Sequence, residues 1–194
     1  MNFAGVFFTS DQHFFHKNII EYSGRPFSDV EEMNEAMIDR FNAKVPDNGR
    51  TYHLGDFAWG DKHVAPILRR LNGIHYLVSG NHDGCHPIHE DAGAVRRFLG
   101  YGFSSVDERL TLDLPIGKTL LCHMPLKLAA DPLEDRRNND KYTAYRPELE
   151  DAQYLLHGHV HERWKRRGDM INVGVDQWDF TPVSVEEICA LVAT

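Results

Sequence analysis

The sequence predicts an α/β fold, α+β in its overall arrangement, and three observations carry that reading. Through the first hundred residues short apolar runs alternate with amphipathic stretches, the pattern of βαβ units. Beyond Leu99 the runs become short and closely spaced, with turn residues between them, which reads as a second region of antiparallel strands. The chain has 194 residues, 42% hydrophobic and 26% charged, enough for one sizeable core and one domain over residues 1–194.

The elements follow in order. Gly5 to Ser10 is a buried-type strand that ends at Asp11. Phe27-Ser28-Asp29 then opens a helix, with Ser28 or Asp29 as cap and Glu31 and Glu32 in the first turn. Val30, Met33, Met37 and Phe41 share one face of it through about Ala43. Pro46-Asp47-Asn48-Gly49 is a turn. Thr51–Leu54 is a second strand, Val64–Leu71 a second helix closed by Asn72-Gly73, and Ile74–Ser79 a third strand. This β-α-β-α-β order favours parallel strands with crossover helices. Ala92–Leu99 is a further helix. Ser104–Val106, Leu110–Leu114, Thr119–Cys122, Tyr154–Leu156, Arg163–Arg166 and Met170–Val173 are the antiparallel-type strands. Val183–Val192 reads equally as a helix or a last strand. Pro125 to Asp151 is long, charged and aperiodic, the signature of a lid or binding loop.

Composition narrows the partners. The net charge is −8, which argues against a stable grip on duplex nucleic acid and leaves room for a small phosphorylated substrate once cations are bound. No apolar run approaches the roughly 18–20 residues that span a bilayer. The segment from Met1 to Phe8 lacks a basic start and reads as a core strand rather than a signal peptide. Three scattered cysteines, Cys85, Cys122 and Cys189, make no disulfide framework and fit a cytoplasmic setting. Cys122 and Cys189 read as core thiols. Cys85, beside His82 and His86, has a ligand reading that competes with a core one. The oligomeric state is left open.

Residues able to ligate metals or move protons sit where strands hand over to loops. Asp11-x-His13 places a carboxylate and an imidazole at i and i+2, on one side of an extended strand. Gly55-Asp56 follows the second strand, and glycine permits a sharp turn that presents the carboxylate at the strand's carboxyl end. Gly80-Asn81-His82-Asp83 follows the third. Asn81 offers a neutral oxygen, His82 a proton donor, and Asp83 a group to orient that imidazole. His123 ends an apolar run, and Gly158-His159-Val160-His161 adds two imidazoles. Singly, each motif is as compatible with a turn or a structural histidine. Five of the twelve histidines nevertheless fall inside the set.

Together the blocks D-x-H, G-D, G-N-H-D, a lone H and G-H-x-H, in this order from Asp11 to His161, resemble the calcineurin-like metallophosphoesterase superfamily. The resemblance implies a four-layer sandwich, with two mixed sheets flanked by helices. It implies one metal held by Asp11, His13 and His161, a second held by Asn81, His123 and His159, and Asp56 bridging both. His82 would be the catalytic histidine, with Asp83 as its partner. Two divalent ions roughly 3.5–4 Å apart can activate a hydroxide between them and clamp a phosphoryl group. The donors are oxygen and nitrogen, which suits Mn²⁺, favoured by the resemblance, as well as Fe, Ni²⁺, Co²⁺, Zn²⁺ or Mg²⁺. One departure is informative. Phosphoprotein phosphatases of this superfamily continue the second block with an arginine, and here the chain reads Gly55-Asp56-Phe57-Ala58-Trp59-Gly60. Without that cation a dianionic monoester is disfavoured. The chain looks more like the small bacterial and phage phosphodiesterases, acting on a small diester such as a 2′,3′-cyclic nucleotide. The alternatives are a monoesterase or a nuclease at the same site.

Around these blocks, His16 reads as either a residue of the site mouth or a structural one, and His157 as structural. Phe14, Phe57, Trp59 and Tyr145 form either an aromatic wall for a base or ordinary packing. Arg136, Arg137, Lys141 and Arg146 are phosphate contacts or a solvated loop, and Arg163, Lys165, Arg166 and Arg167 the solvent face of a strand.

Overall fold

Val6–Thr9 form β1, and all four residues are buried because both faces of the strand are covered. Val6 and Phe8 point into a core between two sheets, while Phe7 points into a core beneath helices. The period-2 alternation of a strand thus serves two apolar layers at once. A computed structural model describes residues 3–127 and 142–194 of the chain.

The first sheet continues through β2 (Arg50–His53), β3 (Ile74–Val78) and β4 (Ser105–Asp107), with β10 (Val183–Ser184) at the other edge, in the order β10-β1-β2-β3-β4. The second comprises β5 (Arg109–Leu114), β6 (Gly117–Cys122), β7 (Tyr154–His157), β8 (Arg166–Arg167) and β9 (Met170–Asn172), in the order β5-β6-β7-β9-β8. Phe8, Leu54, Val78, Leu121, Leu156 and Ile171 join the two sheets in one core. The outer face of the first sheet is covered by α2 (Val30–Lys44), α3 (Val64–Leu68) and α4 (Ala94–Tyr101), and Met33, Met37, Ile67 and Phe98 fill that layer. The outer face of the second is covered by Leu126, Tyr142, Tyr145, Leu149 and Trp164 from connecting segments. Both sheets are mixed.

The helix start at Asp29 is as expected: its carboxylate accepts the Glu32 amide at 2.8 Å. α3 ends earlier than the periodicity predicts. Asn72 donates to the Val45 carbonyl at 3.1 Å and its amide is held by Asn42, which draws the chain out of the helix. The ambiguous last run contains both alternatives, the short β10 followed by α5 (Val185–Val192), with Ser184 and Glu187 closing a reciprocal cap. The single-turn helix α1 (Ile19–Tyr22) is too short for periodicity to reveal.

Strand direction is the main correction. Only β5–β6, β8–β9 and β1–β10 are antiparallel among the described strands. β3–β4, β6–β7 and β7–β9 are parallel. The reason is connection length. β5 and β6 pair Leu114 with Gly117 across a two-residue turn, whereas α4 and the 123–153 segment carry the chain back to the opposite end before the next strand. Arg163–Arg166 is not a strand. His161–Arg163 form a 3₁₀ turn and pairing begins only at Arg166. No helix among the described residues is long and apolar enough to cross a membrane.

This topology decides where the chemistry sits. β1, β2 and β3 run parallel and end just before Asp11, Asp56 and Asn81. β6 and β7 also run parallel and end just before His123 and His159. A bridge between Ser10 and Gly174 ties the carboxyl end of β1 to the chain leaving β9.

Candidate metal centre

The backbone turns sharply at five of the seven proposed ligands. Asp11, His13, Asp56, His159 and His161 have φ of 56°, 51°, 55°, 69° and 49°. They make up half of the ten non-glycine residues in that left-handed region among those described. Each such residue costs on the order of 1–3 kcal/mol, tolerated where the surroundings over-determine it, as functional sites do. Asp11 and His13 therefore do not face one side of an extended strand. They reach a common point from a tight turn held by the Asp11 and His13 amides donating to the Gly55 and Asp56 carbonyls, both at 3.0 Å. Gly55, at φ +90°, packs so closely on Gly80 that a Cβ would collide with its backbone. A Cβ on Gly158 would strike Ser10 and Asp11.

Two ligand clusters result. In the first, Asp11, His13 and His161 bring three donor atoms within 4.8 Å of one another. In the second, Asp11, Asp56 and His123 do the same. Asp56 lies between them, its Oδ2 3.4 Å from His13 Nε2 and 3.5 Å from His123 Nε2. Asn81 Oδ1 extends the second cluster, 3.1 Å from His123 Nε2 and 3.0 Å from His159 Nδ1. His159 and His161 diverge, one toward Asn81 and the other toward Asp11, at 3.6 Å. All seven expected ligands thus meet in one place.

Whether a cation suits this arrangement is answered by His13. Its ring is buried, yet neither nitrogen has a hydrogen-bond partner. Burial of such a group without a partner costs roughly 1–3 kcal/mol, and a cation shared with Asp11 and Asp56 would remove that cost. The electrostatics agree. Burial, with His161 and Arg25 nearby, holds the His13 pKa well below the usual imidazole range, leaving the neutral form that ligates metals. Burial does the same to His159, helped by His123. Burial opposes a charged His123, but Asp56 and Asp11 outweigh it and its pKa is raised. Burial raises the Asp11 pKa, and Asp56 adds to that. Clustered carboxylates and imidazoles that disturb one another this way are what a bound cation would relieve.

His82 is exposed beside the proposed ligands, its ring centroid 5.4 Å from that of His13, and its amide donates to Asp56 Oδ1 at 2.9 Å. Asp83 does something other than expected. Its carboxylate accepts the Asp56 and Gly80 amides at 2.8 Å and the Phe57 amide at 3.0 Å, so it braces the backbone that carries Asp56 instead of pairing with His82. Burial pushes its pKa up to about 7, and Asp56 adds to the rise.

Three supporting residues escape a reading of the sequence. Asp176 Oδ2 lies 3.3 Å from His161 Nδ1 and fixes the ring so that Nε2 faces Asp11. Arg25, fully buried, grips Asp176 through Nε at 2.8 Å and Nη2 at 3.0 Å, and donates to the Asp11 and Gln12 carbonyls. Asn172 donates to the His161 carbonyl at 2.8 Å. No local spacing links these residues to the motifs.

The cleft over the site encloses about 570 Å³ and includes His13, His16, Trp59, His82, Arg146 and Arg163 in its walls. The aromatic wall shrinks to Trp59. Phe14 and Phe57 are core residues packed on each other, and Tyr145 packs on His86. His16 is in the cleft, and His157 is structural, its Nδ1 2.7 Å from the Gly158 carbonyl oxygen and its ring against Trp164. Burial drops the His157 pKa to about 3. Cys85 belongs to neither ligand cluster and is a core thiol. Arg146 donates to the Pro125 carbonyl and Arg163 lines the cleft rather than a solvent face. Lys165 sits 3.8 Å over the Trp178 ring, and Arg166 donates to the Leu191 carbonyl. Arg136, Arg137 and Lys141 lie outside the described residues.

No protein-family model matches the chain. It is 30% identical over 204 residues to "Uncharacterized protein MJ1445" of Methanocaldococcus jannaschii, covering 99% of this chain and 93% of that protein. It is 29% identical over 200 residues to "Gene 66 protein" of Mycobacterium phage L5, covering 97% and 94%. Among solved structures it is similar to a protein of unknown function, AQ665 from Aquifex aeolicus. The identity is 29%, the TM-score 0.71, and the coverage 96% of this chain and 98% of that one.

Proposed function

We propose that this chain, which belongs to one family with MJ1445, is a two-metal phosphodiesterase of the calcineurin-like type, built on that superfamily's four-layer sandwich. One observation carries the reading: seven oxygen and nitrogen donors from five separate turns converge around a buried imidazole with two unpartnered nitrogens.

Asp11, His13 and His161 would hold one divalent cation, and Asn81, His123 and His159 the other, with Asp56 between them. Bound there, two such ions would supply Lewis-acid polarisation of a phosphoryl oxygen and a lowered pKa for water, Mn²⁺ being the ion we favour. The chain's own residues do the rest. Asp176 and Arg25 hold His161 in place, and Asp83 holds the turn of Asp56. His82, exposed at the cleft, is positioned to give a proton to the leaving oxygen. The segment after Asp56 delivers Trp59 to the cleft rather than the arginine of the phosphatases, which favours a diester over a dianionic monoester; the cleft's cations, Arg146 and Arg163, come from other segments. Free thiols at Cys85, Cys122 and Cys189 fit the cytoplasmic setting that belongs to this reading.

The test is hydrolysis by Mn²⁺-loaded protein. Bis(p-nitrophenyl) phosphate should be cleaved faster than p-nitrophenyl phosphate, and the reverse ranking would make the enzyme a monoesterase. His82→Ala should lower turnover on the order of 10²–10⁴-fold while metal content stays near that of the wild type.

A further inference from the structure

We propose that Trp59, braced by His16, is a stacking platform for a nucleobase, so that the ester held by this cleft is a nucleotide diester; this deepens the phosphodiesterase reading and rests on it. Five large apolar side chains are notably exposed among the described residues: Tyr22, Trp59, Ile74, Val95 and Leu99. The two aromatic ones, Tyr22 at 66% and Trp59 at 46%, are the two that line the cleft. The exposed part of a tryptophan in a cleft wall is not used in packing and offers apolar ring surface to a ligand.

The Trp59 ring is held in advance. His16 stacks on it with centroids 4.0 Å apart and planes within 6°. His16 is itself buried, and Tyr22 meets its edge at 6.2 Å. The Trp59 amide donates to the Phe14 carbonyl at 2.8 Å, next to the Phe14–Ala58 bridge that extends the β1–β2 pairing. A platform with few conformations to lose binds at lower entropic cost.

The platform also stands at the right remove. Trp59 lies 5.4 Å from the His82 ring, and His82 lies 5.4 Å from His13, centroid to centroid. These separations put Trp59 within a nucleotide's length of the proposed ligands. The cleft's 570 Å³ falls within the roughly 300–1,000 Å³ of small-molecule sites and exceeds what a bare phosphoryl group fills. The net charge of −8 favours a short nucleotide over a polymer.

Calorimetry on the Mn²⁺-loaded protein tests this with two monoesters of the product class of a diesterase, which the enzyme would release rather than cleave: adenosine 5′-monophosphate, which carries a base, and ribose 5-phosphate, which does not. The nucleotide should bind roughly 5- to 150-fold tighter, the range of one base–aromatic stack. Trp59→Ala should abolish most of that preference, Trp59→Phe should keep most of it, and neither should change metal content. Equal binding of the two esters by the wild type overturns the platform, as does a preference that survives Trp59→Ala. The two readings fail separately. A protein that cleaves bis(p-nitrophenyl) phosphate yet binds both esters alike loses only the platform. One that prefers the nucleotide but cleaves no diester keeps the platform and loses the activity.

Discussion

Arg25 is the residue on which the site's geometry most depends. Its guanidinium is fully buried, its fork engages both oxygens of Asp176, and its remaining hydrogens fix the Asp11 and Gln12 carbonyls. Arg25→Ala leaves the buried Asp176 carboxylate with only the His161 ring as partner, and breaking such a buried pair costs about 3–5 kcal/mol. Arg25→Lys should recover only part of this, because an ammonium cannot reproduce the bidentate fork. Urea unfolding of the metal-free protein reads both values. A loss below about 1 kcal/mol for Arg25→Ala would mean that the pair is not structurally important. Arg25 and Asp176 also mark a limit of sequence reasoning. The proposed ligands were legible because each sits in a short motif that follows an apolar run. The partners that aim them are 151 residues apart and share no spacing. Asp83 was legible as a site residue but not in its role, since nothing in Asn-His-Asp shows that three backbone amides will converge on that carboxylate.

Among the elements, strands and helices with a clear period were legible, and strand direction was not. Direction follows from where the chain returns, and an aperiodic segment such as 123–153 conceals that it crosses to the far end of β6. The β2–β3 pair conceals another feature. His53 on β2 and His75 on β3 form a buried chain, with Gln12 Nε2 2.8 Å from His53 Nδ1 and His53 Nε2 3.1 Å from His75 Nδ1. Burial lowers the pKa of both, His53 well below the usual range with His75 adding to the effect. Their folded-state pKa values lie below the unfolded value near 6.5, so the unfolded chain binds more protons on acidification. The stability they contribute is fully present above about pH 6.5 and is lost as pH falls below it. In chelator, the urea midpoint should therefore fall between pH 7 and pH 5. His75→Gln, which keeps an acceptor for His53 but cannot titrate, should show a smaller fall. An identical fall in both proteins would assign the acid sensitivity elsewhere.

At the scale of the whole molecule, the proposed ligands are divided between the two sheets. Asp11, His13, Asp56 and Asn81 follow β1, β2 and β3, whereas His123, His159 and His161 follow β6 and β7. Cations held between them would join the carboxyl ends of both sheets across the core that Phe8, Leu121 and Leu156 share. Separation of the sheets on unfolding would then release the ions, so metal binding must appear as stability. At a free concentration a hundred times its Kd, each ion adds about 2.7 kcal/mol, or about 5 kcal/mol for two. For a chain of this size 1 kcal/mol moves Tm by roughly 2–4 °C, so saturation with Mn²⁺ should raise Tm by about 10–20 °C over protein in EDTA. Because the buried His13 ring makes no hydrogen bond that would compete with a cation, His13→Ala should remove about half of that rise. A Tm that ignores Mn²⁺, or a rise that His13→Ala leaves whole, would mean that the convergence of these side chains does not create a metal site.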